Sequence, residues 1–251
     1  MQRTIFIITG FFLLSAGVFT YTIVRQRGRD SVQAVKRLTV SRVNFSSEEP
    51  NIAEISETLD TTGKEYAINT LSWKEYNYRP VVKFRIAYDD NAFYLKYYVR
   101  EKYVRAVNTE SNGSVWEDSC VEFFISPSDD GIYYNFEFNC IGTRLLGWGK
   151  SREARNLVDP AIIEKIKTIS TLGTEPFNEK KGGFLWELTV KIPFEIFVGH
   201  KIRNLEGKTL TANFYKCGDK LTEPHYLSWN KIETPRPDFH RPEYFGELQF
   251  R

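Results

Sequence analysis

Methionine occurs once in the 251 residues, at position 1, and cysteine and histidine only three times each. His200, His225 and His240 show no metal-ligand spacing, and Cys120, Cys140 and Cys217 match no zinc pattern. The three cysteines fall in strand-like segments, where buried free thiols are the default. A bridge between Cys120 and Cys140 would require their strands to be neighbours. No G-x-S-x-G element is present, which removes the nucleophile-elbow hydrolases. Charge asymmetry is also missing: 34 basic and 32 acidic residues leave a formal net charge of +2. Without a basic block or stripe, no nucleic-acid partner is expected. Internal repeats and low-complexity tracts are absent, and helix signals are sparse.

Aromatic residues are abundant, at 15%, with 19 Phe and 14 Tyr, and this favours strands. Residues 5–24, IFIITGFFLLSAGVFTYTIV, carry no charge and are long enough to span a bilayer. They follow Arg3 and contain a weak Ser15-Ala16-Gly17 cleavage signal, so residues 1–30 read as a signal peptide or an N-terminal membrane anchor. Arg25, Arg27 and Arg29 beyond the run oppose export of an uncleaved helix by the positive-inside rule. The expectation remains an exported protein, secreted or held at the cell envelope, with residues 31–251 as its domain.

Within that domain the pattern is strand after strand. Val82, Phe84, Ile86 and Tyr88 alternate, Asp89-Asp90-Asn91 turns the chain, and Phe93, Leu95, Tyr97 and Val99 return. In SVWEDSCVEFFIS, Val121, Phe123 and Ile125 share one face while Cys120, Glu122 and Phe124 share the other. YYNFEFNC puts Tyr134, Phe136, Phe138 and Cys140 on one face, opposite Tyr133, Asn135, Glu137 and Asn139. Phe184, Trp186, Leu188, Val190 and Ile192 are in phase. Asp159-Pro160 signals one short helix near residues 160–167. About ten strands predict an all-β fold, an antiparallel two-sheet sandwich with that helix, preceded by the N-terminal hydrophobic helix.

Three chemistries fit the polar residues. Glu122 and Glu137, on strands that should pair, are the acids a glycoside hydrolase would use, although chance pairs of acids in a sheet are common. Asp89-Asp90 and Asp129-Asp130 suit structural calcium, or simply their turns. Trp116 beside acids, with Glu122 and Asn139 on polar strand faces, has the composition of a sugar site; Trp116 equally suits packing at the rim.

VWEDSCVEFFISP, YYNFEFNCIGT and the closing LSWN…PDFHRPEYFGELQF together resemble the family 9 carbohydrate-binding modules and their DOMON-like relatives. The likeness runs from about residue 36 to 251 and rests on W-x-D-x-x-V-E-x-F combined with the F-G-x-L ending. It implies a jelly-roll-like β-sandwich that binds carbohydrate without catalysis. It also implies an association with glycoside hydrolases and the breakdown of polysaccharides such as xylan by bacteria. Trp116 matches the family's first sugar-stacking ring, Glu122 its acid and Asn139 its amide. Phe239 stands where the second ring is usually tryptophan, and Glu137 where the best-known members have arginine. Trp229 and His240 are additional candidates beside the C-terminal motif. DOMON-like relatives also include haem-binding and interaction domains, but haem would have to be held here by histidines alone, since no methionine follows residue 1.

Overall fold

The computed structural model describes residues 35–47 and 49–251, so the expected hydrophobic helix over residues 5–24 lies outside the described residues. Among the described residues no helix is long and apolar enough to cross a membrane. They form fourteen strands and two short α-helices. Strand β1 (Arg37–Arg42) leads to α1 (Ile52–Thr61), then β2 (Tyr66–Ala67), β3 (Thr70–Leu71) and the hairpin β4 (Val81–Tyr88) and β5 (Ala92–Ala106). A meander follows: β6 (Cys120–Ser126), β7 (Tyr133–Asn139), β8 (Arg144–Gly149) and β9 (Arg155–Leu157). After α2 (Pro160–Ile163) come β10 (Lys167–Ser170) and the long β11 (Phe177–Pro193). The chain closes with β12 (Thr209–Cys217), β13 (Tyr226–Ser228) and β14 (Gly246–Phe250).

Two hydrogen-bonded arrays share β1. One runs β10-β11-β5-β4-β1 and the other β1-β14-β12-β6-β7-β8-β9. Arg37–Val40 pair with Glu247–Phe250 of β14, and Ser41 and Arg42 with Ala87 and Tyr88 of β4. Both pairings are parallel, which corrects the expectation of a purely antiparallel fold. A parallel neighbour needs a long crossover, and the stretch from β1 to β4, with α1 in it, supplies one.

Helix α1 also corrects the expectation of a single short helix. Asn51 caps it, its side-chain oxygen accepting from the Glu54 amide at 2.9 Å. Ile55 and Leu59, one turn apart, are buried against Ala87, Ala92 and Tyr94 on the outer side of the β4–β5 hairpin. The helix expected near residues 160–167 forms only over Pro160–Ile163, with the Asp159 carboxylate accepting from the Ala161 amide and Pro160 in its first turn; Lys167 already begins β10.

The alternation sorts side chains as expected. Val82, Phe84 and Ile86, Val121, Phe123 and Ile125, and Tyr134, Phe136 and Phe138 all join one core between the two arrays. Phe84 stacks on Phe214 across it, with ring centres 3.9 Å apart. The opposite face of β6, β7 and β12 carries Cys120, Phe124, Tyr133, Tyr215 and Cys217, covered by Phe239 and Phe245 from the C-terminal segment. Cys140 belongs to the inner core and Cys120 to the outer cluster, so the sheet separates them and all three thiols are free. The residue paired with Cys120 across the ladder is Cys217.

Candidate functional site

The acid cluster before β6 divides into different roles. Asp118 is completely buried, and its Oδ2 accepts from the amides of Val107 (3.1 Å) and Asn108 (2.9 Å) and from Asn139 Nδ2 (3.0 Å). Its Oδ1 lies 3.5 Å from the Arg105 guanidinium. Asp118 therefore ties the chain before β6 to the end of β5. The Trp116 and Glu117 carbonyls accept from the Asp219 and Lys220 amides, each at 3.1 Å. These bonds fix the single turn that carries Trp116 against the β12–β13 connection and leave the indole half-buried at the rim.

Trp116, Glu122, Glu137, Phe239 and His240 line one cleft of about 180 Å³, joined by Arg152, Arg155, Cys217, Asp219, Tyr226, Pro237 and Asp238. This is small beside the roughly 300–1,000 Å³ usual for drug-sized ligands and is on the scale of one sugar ring. A larger hollow of about 1010 Å³, lined by Lys165, Lys191 and His200, contains none of the proposed sugar-site residues. Its Lys165 and Lys191 are already paired with Glu195 and Glu49.

Glu122 and Glu137 face each other across the β6–β7 ladder. Both are only 3% exposed. Loss of water, and for Glu122 the neighbouring Glu137 as well, pushes both carboxyls above the ordinary carboxylate range. Arg155, 3.8 Å from Glu137, opposes the shift without overcoming burial. Cys217 Sγ donates to Glu122 Oε1 at 3.0 Å, and Asn135 Nδ2 to Glu137 Oε1 at 2.9 Å. Asp219 is also held up, to about 6, first by burial.

His240 is neutral in this setting: burial and then Arg152 and Arg155 drive its pKa far down. Arg155 donates to Nε2 at 2.9 Å, so the proton sits on Nδ1, which faces the Tyr133 hydroxyl at 2.8 Å. Positive charge enters the cleft from Arg155 of β9 and Arg152 of the turn before it. Arg152 is paired with Asp238 at 2.9 Å. Behind the cleft, Lys216 is buried with Glu101 of β5 at 2.9 Å, and Trp186 Nε1 donates to the same carboxylate at 2.7 Å. That ion pair fastens β12, and the turn carrying Asp219, to the other array.

Two candidates lie elsewhere. Asn139 is fully buried, and its amide is consumed by Asn108, Asp118 and the backbone amides of Ile141 and Thr143. Trp229 is 3% exposed in the inner core, edge-on to Phe214. Phe239 reaches the cleft only as its floor: it is 7% exposed and stacked on Tyr215, with centres 4.2 Å apart. Tyr226, which the motifs did not single out, is the more accessible second aromatic.

The alternative chemistries meet occupied groups. Both ring nitrogens of each histidine have protein partners: Tyr134 and Asp130 for His200, Glu223 and Lys216 for His225, and Tyr133 and Arg155 for His240. Asp89 accepts from Asn91, Ala92 and Tyr94, and Asp90 pairs with Arg42.

The sequence matches the family described as Carbohydrate-binding family 9 over residues 54–250. A Bacteroides uniformis protein, described as a candidate carbohydrate-binding protein, has a crystal structure that superposes with a TM-score of 0.83. Identity is 43%, over 87% of this chain and 100% of that one. A family 9 carbohydrate-binding module from Caldicellulosiruptor kristjanssonii, solved with glucose, shares the fold at a TM-score of 0.53 and 15% identity, over 86% of this chain and 96% of that one. Its structure with cellotriose gives 0.55 and 14%, over 86% and 94%. No curated protein matches the chain.

Proposed function

The chain belongs to carbohydrate-binding family 9, and from that premise we propose that it binds a sugar unit in the Trp116 cleft without transforming it. The observation that carries this reading is convergence: motif residues from β6, β7 and the C-terminal segment line a single small cleft. In the reading, the Trp116 indole stacks on sugar C–H groups, with Tyr226 as a second wall and Phe239 as floor. Glu122, Glu137 and Asp219 accept from sugar hydroxyls or, when protonated, donate to them, and Arg152 and Arg155 donate. Asn139 acts through Asp118 by holding the Trp116 turn. Glucose and cellotriose, bound by the Caldicellulosiruptor module, set the ligand class to try first.

The proposed setting is an exported protein, directed or tethered by residues 5–24, that assists glycoside hydrolases in polysaccharide breakdown. A glycan array probed with the full chain in mild detergent tests the binding reading. Retention of neutral glucose- or xylose-containing oligosaccharides is expected, and an array without hits contradicts it.

A further inference from the structure

The floor of the cleft holds a donor set that carbohydrate binding alone does not require. Cys120 and Cys217 are direct cross-strand partners, and Glu122, two positions along β6 from Cys120, shares their face. One ligand atom from each of the three lies within 4.8 Å of the others. Their exposures are 0%, 2% and 3% for Cys120, Cys217 and Glu122. Cys217 and Glu122 open on the cleft, which gives an ion a path in.

We propose that Cys120, Cys217 and Glu122 form a site for a soft divalent cation of the Zn²⁺ class, with its fourth coordination position facing the cleft. Zinc bonds of about 2.3 Å to sulfur and 2.0–2.2 Å to oxygen put tetrahedral donors about 3.6–3.8 Å apart, within the spread of this cluster. Calcium and magnesium are poor occupants, since they take six or more oxygen donors. As each metal–sulfur bond forms, the thiol proton leaves to water, and Cys217 exchanges its hydrogen bond to Glu122 for shared ligation. Glu122 has two oxygens, so one can ligate while the other remains available to the cleft. A water or a sugar hydroxyl completes the tetrahedron; only this last point rests on the carbohydrate reading.

The test is an anaerobic Co²⁺ titration of the reduced full chain without sugar, followed by Zn²⁺ displacement. The expected result is one equivalent bound, with thiolate-to-cobalt charge transfer and the visible bands of a tetrahedral ion. Cys120→Ser and Cys217→Ser should each weaken binding by at least about 100-fold, beyond the roughly 10–100-fold cost of losing an outer partner. Glu122→Gln should also weaken binding by more than the roughly 10–100-fold outer-partner cost while keeping the charge-transfer band at saturating cobalt, and it preserves side-chain volume if a serine variant fails to fold. Cys140→Ser, across the sheet, should change nothing. Absence of charge transfer in the wild type overturns the proposal, as do bands that survive loss of both Cys120 and Cys217. A thiol count of one in the protein as isolated, instead of three, overturns it in favour of a Cys120–Cys217 disulfide. Because no sugar is present, failure here leaves the array result standing.

Discussion

Asp118 and Glu122 sit four positions apart, and their surroundings make one a fastener and the other a candidate ligand group. Asp118 Oδ2 meets two backbone amides and an amide side chain, and the Arg105 guanidinium lies 3.5 Å from its Oδ1. Asp118→Ala would leave those donors buried and unpaired, and should cost about 3 kcal/mol in urea unfolding. Glu137 behaves oppositely. Burial raises its folded pKa, so the stability linked to its proton is complete below the ordinary carboxylate value and is lost as pH rises through the raised one. Glu137→Gln does not titrate. Its melting temperature relative to the wild type should therefore climb between about pH 5 and about pH 8. A difference that stays flat or falls would mean that Arg155 holds the carboxylate ionised. The motif spacing singled out Glu122, Glu137 and His240 because they flank strong apolar patterns. Arg152, Arg155 and Asp219 carried no such signal, since turns are rich in charge whatever their role.

Strands were the most legible elements, because alternation over β4, β5, β6, β7 and β11 leaves one register compatible with a core. Helix α1 was obscured by length: two buried apolar positions in ten residues give a faint period, and only Asn51 marks its start. Three-residue β9 gave no pattern either, although it aims Arg155 at Glu137 and His240. Its placement depends on Gly149. A Cβ there would sit 2.4 Å from the Ala154 carbonyl oxygen and 2.6 Å from the Arg155 Cα, both backbone atoms that cannot rotate aside. Gly149→Ala should push β9 outward, costing about 1–3 kcal/mol. It should also weaken sugar binding by moving Arg155. Calorimetric titration beside thermal melts checks both, and unchanged binding would remove Arg155 from the site.

At the scale of the whole molecule, alternation could not reveal that β1 runs parallel to both neighbours, because side-chain period is the same in either direction. Nor could it show that the C-terminal segment folds over the outer face of β6, β7 and β12, bringing Phe239, Asp238 and His240 into one cleft with Glu122. The F-G ending marked that segment only through family resemblance, which matched Asn139 to the ligand amide, whereas in the structure its side chain is bonded to Asn108 and Asp118. Long-range closure gave the cleft its second half, with Tyr226 arriving from β13. The central claim is that Trp116 is a binding surface and not a packing residue. Calorimetry of the best array glycan with wild type and Trp116→Ala, both shown folded by near-ultraviolet circular dichroism, tests it most directly. Loss of indole stacking and burial, about 1–3 kcal/mol, should lower affinity roughly tenfold or more. Equal affinity in a folded Trp116→Ala protein would contradict the account and put the sugar elsewhere.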